Sequence, residues 1–213
     1  VKAVWVPGLN WYSCPAAVGA CPLGSLQAFL GSRRKSFPFY VVGSLLFFGF
    51  LLGRTICGWL CPFGLLQDLL DRVPVRKRKV PARADSVLRR LKYVLLITAV
   101  ILLPLLLPDA SGTGVPYFCK WFCPAGTLEG GIPLVLTEES LRNMAGFLYA
   151  WKLLLLALIL GLCLVICRPF CKYFCPLGAL YSLFNRVSLV RMEWDQSRCT
   201  GCGLCEAKCK MQV

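Results

Sequence analysis

Three stretches of the chain carry almost no polar side chain. Residues 37–53 (FPFYVVGSLLFFGFLLG) are uncharged for 17 positions and residues 93–108 (YVLLITAVILLPLLLP) for 16. Residues 145–167 run for 23 positions with Lys152 as their one charge. A bilayer core takes about 20 apolar helical residues, range about 17–25, so the pattern predicts three transmembrane helices. Pro104, late in the second, predicts a kink whose freed carbonyl a neighbouring helix satisfies. Core helices of a soluble protein are the alternative, but three such runs leave too little polar sequence to cover them.

Between the first two runs the pattern inverts. Residues 72–92 hold Arg72, Arg76, Lys77, Arg78, Lys79, Arg83, Arg89, Arg90 and Lys92 against Asp85 alone. The positive-inside rule makes this loop cytoplasmic. Residues 1–36 are then expected outside, and the tail after Cys167 in the cytoplasm. Arg33, Arg34 and Lys35 fall on the outer side, a minor exception. Topology accounts for the basic run, so no nucleic-acid partner is expected.

Composition narrows the chemistry. The chain is 57% hydrophobic and 16% charged, where soluble domains carry about 25% charged residues. It has 14 cysteines, no histidine and a net charge of +14. The missing histidine excludes bis-histidine haem, Rieske centres, His-type zinc sites and Ser-His or Cys-His nucleophiles.

The cysteines follow a duplication. Residues 54–66 (RTICGWLCPFGLL) match residues 168–180 (RPFCKYFCPLGAL) at an offset of 114. A shorter pattern, C-P-x-G-x-L, occurs at Cys21, Cys61, Cys123 and Cys175. Each half reads as an outer pair, a span and an inner pair: Cys14/Cys21 then Cys57/Cys61, and Cys119/Cys123 then Cys171/Cys175. The two halves run parallel, related by an axis along the membrane normal. By symmetry a fourth span is expected before Val1, and the chain is expected to continue at both ends.

The run Cys199, Cys202, Cys205, Cys209 has the C-x2-C-x2-C-x3-C spacing of bacterial ferredoxins, which sets thiolates on a [4Fe–4S] cube. Lys210 stands where proline is usual. Cysteines four apart on a helix share one face, and two thiolates cannot complete a four-ligand site. The expected pairing joins Cys57, Cys61, Cys171 and Cys175 in an inner cluster, and Cys14, Cys21, Cys119 and Cys123 in an outer one. Pairing within each repeat is the competing arrangement, disfavoured because about 30 Å of hydrocarbon would separate the pairs. Cys163 and Cys167 are read as packing residues, with Cys167 open as an alternate ligand. Arg54 and Arg168, three residues before the inner pairs, are candidates for stabilising a negatively charged cluster. Snorkelling at a span's cytoplasmic end is their other reading.

The pattern CGWLCPFG at 57–64, CKYFCPLGAL at 171–180 and the 199–209 run resemble the membrane-bound polyferredoxin-type 4Fe-4S proteins. That family includes the membrane component of periplasmic nitrate reductase systems and the membrane part of nitrous-oxide reductase regulators. The similarity covers Cys14 to Cys209. It implies electron transfer across or along a bacterial or archaeal cytoplasmic membrane, and a ferredoxin domain that holds two clusters.

The expectation is therefore an all-α membrane protein, a duplicated transmembrane helical bundle with a small C-terminal ferredoxin-like module. Its parts are a first membrane repeat (1–73), a basic cytoplasmic loop (74–92), a second repeat (93–190) and an iron–sulfur segment (191–213). Two [4Fe–4S] clusters are expected in the repeats and one or two in the C-terminal segment. With no substrate-binding constellation, the chain reads as an electron-transfer subunit of a larger complex, with redox protein partners on one or both faces. Two rivals remain at this point: a thiol–disulfide transporter, and a metal-handling factor binding soft Cu(I).

Overall fold

Proline and cysteine, more than the apolar runs, decide where helices begin. At each C-P-x-G-x-L box the cysteine is extended and caps a helix whose first residue is the proline. Cys21 caps Pro22–Leu30, Cys61 caps Pro62–Asp71, Cys123 caps Pro124–Gly126 and Cys175 caps Pro176–Phe184. The pyrrolidine ring drives the preceding residue out of the α region and is itself preset for the first helical position. The computed structural model describes residues 4–5, 7–9, 19–32, 39–75, 77, 80–107, 115–139, 146–190, 197, 199–203 and 209.

The proline also corrects the expectation that cysteines four apart share one helix. Cys57 lies in the short helix Thr55–Trp59, Cys119 in Tyr117–Trp121 and Cys171 in the π-helical turn Phe170–Phe174. The second cysteine of each pair lies beyond that turn. Its N–H closes back five residues: Cys61 to the Ile56 carbonyl at 3.1 Å, Cys123 to Phe118 at 3.0 Å and Cys175 to Phe170 at 2.9 Å. Three boxes thus share one backbone device, a wide turn followed by a Pro-initiated helix.

The basic segment is helical from Ala82, because Pro81 supplies an N-cap geometry and Asp85 sits in the first turn. Ala82–Leu95 continues through a π-helical stretch, Leu96–Leu102, into Leu103–Leu106. A widened turn just ahead of Pro104 absorbs the hydrogen bond that proline cannot make. This rod is the scaffold of the molecule. It packs on Phe170–Phe174 and Pro176–Phe184, and also on Pro22–Leu30 and Tyr117–Trp121. Both sets of cysteine boxes therefore lean on one helix.

Among the described residues one helix, Phe147–Val165, is long and apolar enough to cross a membrane; Phe39–Leu52 is apolar but 14 residues long. The expected spans thus coincide with helix, but only the third reaches full length as an unbroken α-helix. Gly53 (φ 51°) ends the first, and the π-helical stretch interrupts the second. Lys77 donates to the Leu164 carbonyl at 3.2 Å, tying the basic segment to the end of Phe147–Val165. Two short strands, Val4–Trp5 and Gly19–Ala20, pair in parallel.

The core gathers around the boxes. Phe63 and Phe170, both buried, meet edge-to-face with centroids 5.2 Å apart. Each contributes about 1.5–3 kcal/mol by burial, and the ring contact adds about 0.5–1.5 kcal/mol. Since Phe63 follows Cys61 by two and Phe170 precedes Cys171 by one, this packing clamps the two halves together where their cysteines stand.

Candidate metal centre

Four cysteines from both halves form the first group. Cys61 and Cys175 are buried and Cys57 and Cys171 half-buried. Burial, then Cys61 and Cys57, pushes the Cys171 thiol up; burial, then Cys171 and Cys57, does the same to Cys175. The Cys57 thiol rises to about 11 through burial and Cys61. Mutual influence of this kind places Cys57, Cys61, Cys171 and Cys175 within electrostatic reach of one another. Gln67, six residues after Cys61, crosses to the other half and donates its Nε2–H to Cys171 Sγ at 3.1 Å.

Cys21, Cys119 and Cys123 form the second group. Cys21 and Cys123 are buried and Cys119 half-buried. Burial and then Cys21 lift the Cys123 thiol to about 12, and burial with Cys123 and Cys21 raises Cys119. Cys14, expected in this group, lies outside the described residues. Gln27, six residues after Cys21, repeats the crossing: its Nε2 donates to Cys119 Sγ at 3.7 Å. In both groups the described cysteines come from different halves.

The expected hydrocarbon layer between the groups is not what the structure shows. Tyr181, fully buried, is acted on by Cys57, Cys175 and Cys61 of one group and by Cys21 of the other. Its hydroxyl donates to the Pro7 carbonyl at 2.9 Å. A Cβ at Gly8 would stand 2.9 Å from the Cys61 Cα, so residues 7–9, expected outside, pack against the Cys61 box. Phe118 and Phe170, the residues before Cys119 and Cys171, line the same apolar cavity of about 290 Å³. The groups are neighbours because the boxes sit on short helices packed on a common rod, not at opposite ends of long spans.

Cations surround the first group. Arg54 and Arg168, the two expected there, line a cavity of about 330 Å³ with Cys57 and Cys171. Lys92, Lys172 and Arg89 line it too. Both arginines favour the charged form of Cys57. Arg168 has φ 46°, a left-handed backbone that costs about 1–2 kcal/mol in a non-glycine residue. Its guanidinium is gripped by both oxygens of Asp68. Asp85 accepts from Lys172 at 2.6 Å, Arg89 at 2.5 Å and the Tyr173 hydroxyl at 2.5 Å. Burial raises its carboxyl, but these donors outweigh burial and hold it below the usual range. Lys92 is lowered by burial and then by Arg54. Beside the second group the cation is Lys152, which favours the charged forms of Cys119 and Cys123. Sequence reasoning missed the part played by Lys92 and Lys152. Being the one charge in a 23-residue apolar run was the signal for Lys152.

Cys163, read as a packing residue, is buried with its thiol 3.8 Å from Gln67 Oε1, to which it donates. It therefore orients the glutamine as well as filling space. Cys167 is half-buried. In the C-terminal run Cys199 and Cys202 are exposed and Cys209 half-buried, while Cys205 lies outside the described residues. Gly201 and Gly203 have φ of 69° and 66°, and the Gly201 N–H donates to Cys199 Sγ at 3.4 Å. No disulfide joins any of the described cysteines.

Among the described residues no three Cys, Asp or Glu side chains close on a single metal ion. A cluster asks for something different, because each thiolate holds a separate iron and the sulfurs stand farther apart. The donors here fit that demand. They are all sulfur, they are buried where a proton must otherwise neutralise them, and they face cations and N–H donors.

A 4Fe-4S binding domain family matches residues 19–40, 37–81, 93–132 and 147–194, well over half of the chain. A second 4Fe-4S binding domain family matches residues 191–213. Two uncharacterised proteins of Methanocaldococcus jannaschii are similar. One is 30% identical over 170 residues, 77% of this chain and 54% of its own length. The other is 30% identical over 169 residues, 76% of this chain and 61% of its own. The methylamine utilization ferredoxin-type protein MauN of Methylobacillus flagellatus is 29% identical over 175 residues, 79% of this chain and 53% of its own. The chain thus spans between half and two thirds of the length of these relatives. No solved structure matches. Domain matches and a ferredoxin-type relative together support an iron–sulfur electron-transfer role. A chain whose buried cysteines gather in all-sulfur groups, and whose halves both carry the match, belongs to the 4Fe-4S binding domain family and has [4Fe–4S] clusters as its cofactors.

Proposed function

We propose that the chain is a membrane-embedded electron relay with one [4Fe–4S] cluster on Cys57, Cys61, Cys171 and Cys175. A second is held by Cys14, Cys21, Cys119 and Cys123, and one or two more by a C-terminal module that includes Cys199, Cys202, Cys205 and Cys209. The observation that carries this reading is the crossing of halves: Gln67 of the first half bonds to Cys171 of the second, and four thiols from both halves act on one another. When bound, each cluster supplies a one-electron couple. The protein's own part is to hold the sulfurs, exclude water and set the surrounding charge. Tyr181, buried and bonded to the Pro7 carbonyl, stands within electrostatic reach of cysteines of both groups.

Several features support a membrane setting. Phe147–Val165 is apolar, yet only 17% of its membrane-length window is buried. Phe147 is 80% exposed and Phe39 77% exposed. Water is a poor solvent for such a surface and lipid a good one. In this reading residues 1–73 and 93–190 are parallel repeats in the cytoplasmic membrane. The basic segment 74–92 and the 191–213 module lie in the cytoplasm, and Lys77 holds the end of the third span on the basic side. The resemblance to the membrane-bound polyferredoxin-type proteins points the same way. The chain then serves as a subunit between a cytosolic redox partner and an intramembrane or extracytoplasmic one.

Anaerobic purification with iron analysis and electron paramagnetic resonance tests the proposal. At least three clusters, about 12 iron per chain, are expected. About 4 iron per chain, all of it in the C-terminal run, would sink the relay and favour the transporter.

A further inference from the structure

The sixth residue after each box cysteine is polar: Gln27, Gln67, Glu129 and Tyr181. The two glutamines, both fully buried, make the same two Nε2 contacts at equivalent places. Each Nε2 reaches the carbonyl four residues back, Leu23 at 3.3 Å for Gln27 and Phe63 at 3.4 Å for Gln67. Each also donates across to the first cysteine of the partner box, Cys119 at 3.7 Å and Cys171 at 3.1 Å. Each Oε1 is held by a separate donor, the Phe118 N–H at 2.9 Å for Gln27 and the Cys163 thiol at 3.8 Å for Gln67. The Phe118 N–H fixes the Gln27 amide, because only its carbonyl oxygen can accept that bond, and the Phe63 carbonyl, which can only accept, fixes the Nε2 end of Gln67.

A buried polar side chain held on both ends is costly unless its bonds are made, and helix packing alone asks for leucine at such a position. Hydrogen bonds to ligand sulfur stabilise the more negative state of an iron–sulfur centre and raise its reduction potential. We propose that Gln27 and Gln67 are positioning residues, each donating an N–H to a ligand sulfur of the opposite half and so raising the potential of one centre. The same bond ties the halves together: a box supplies its cysteine to a centre, and its sixth residue locks the cysteine supplied by the other box. This inference rests on the cluster assignment proposed above.

The test uses the whole protein, anaerobically purified, with two measurements. In redox titrations followed by electron paramagnetic resonance, Gln67→Met is expected to move only the centre containing Cys171 to a more negative potential. Gln27→Met is expected to move only the centre containing Cys119. Methionine keeps the length and the burial but removes the donor. In wild-type protein labelled with ¹⁵N-glutamine, each of these two reduced signals is expected to carry a weak side-chain nitrogen coupling, a readout that needs no variant to fold. Unmoved potentials in both variants, or reduced signals without that coupling, overturn the inference and leave the iron–sulfur reading in place. Absence of the two reduced signals from wild-type protein overturns the assignment beneath it.

Discussion

The two cysteine groups are built to one plan and charged differently. Each takes its sulfurs from both halves, starts its helices with Cys-Pro and receives an N–H from a glutamine six residues past the box cysteine. Around the Cys171 group, however, stand Arg54, Lys92, Arg168, Lys172 and Arg89. The cation acting on both Cys119 and Cys123 is Lys152. A duplicated backbone device can thus give two centres of unequal potential, because the ligands come from the repeated boxes and the field comes from segments that are not repeated. The Cys171 centre is expected to be the more easily reduced.

The largest break in the comparison is steric. A Cβ at Gly64 would lie 2.5 Å from the Cys57 carbonyl oxygen, whereas at Gly178 it would lie 3.5 Å from the equivalent Cys171 oxygen. A backbone atom cannot swing aside, so Gly64→Ala should cost about 1–3 kcal/mol and lose iron from the Cys171 centre. Gly178→Ala should stay within about 0.5 kcal/mol and keep its iron; iron analysis and thermal unfolding of both variants check this.

Charge gives the next effect. Arg54→Gln or Lys92→Gln should lower the potential of the Cys171 centre by about 60 mV, equivalent to about 1.4 kcal/mol. The Cys119 centre should barely move in the same redox titration. Asp85→Asn should act in the opposite direction and more weakly, since it releases Lys172 and Arg89 from their carboxylate and leaves more positive charge near the cluster. Smallest is Lys152→Gln, expected to lower the Cys119 centre alone by on the order of 30 mV, read in the same titration.

Much of the site could be read in the residues. The 114-residue offset and the four C-P-x-G-x-L boxes motivated joining Cys57 and Cys61 with Cys171 and Cys175. The two glutamines were visible as C-P-x-G-x-L-Q at Cys21 and Cys61, but nothing in a linear pattern says that a side chain crosses to the other half. Local spacing misled in one respect. Cysteines four apart read as one helical face, while the proline forces the second into an extended cap closed by a five-residue hydrogen bond. Hydropathy misled in another. It set the groups at opposite ends of long spans, although short helices on the 82–106 rod bring both to Tyr181. Helix from Ala82 was signalled by Pro81 and the Asp85/Arg89 spacing, yet a run of positive charge hid it.

Sharing of one cluster by both halves is tested most directly by Mössbauer spectroscopy with iron analysis on Cys57→Ala and Cys171→Ala. Both variants should lose the same spectral component and about 4 iron per chain, with the Cys119 centre intact. Loss of two different components, one for each variant, would contradict the account.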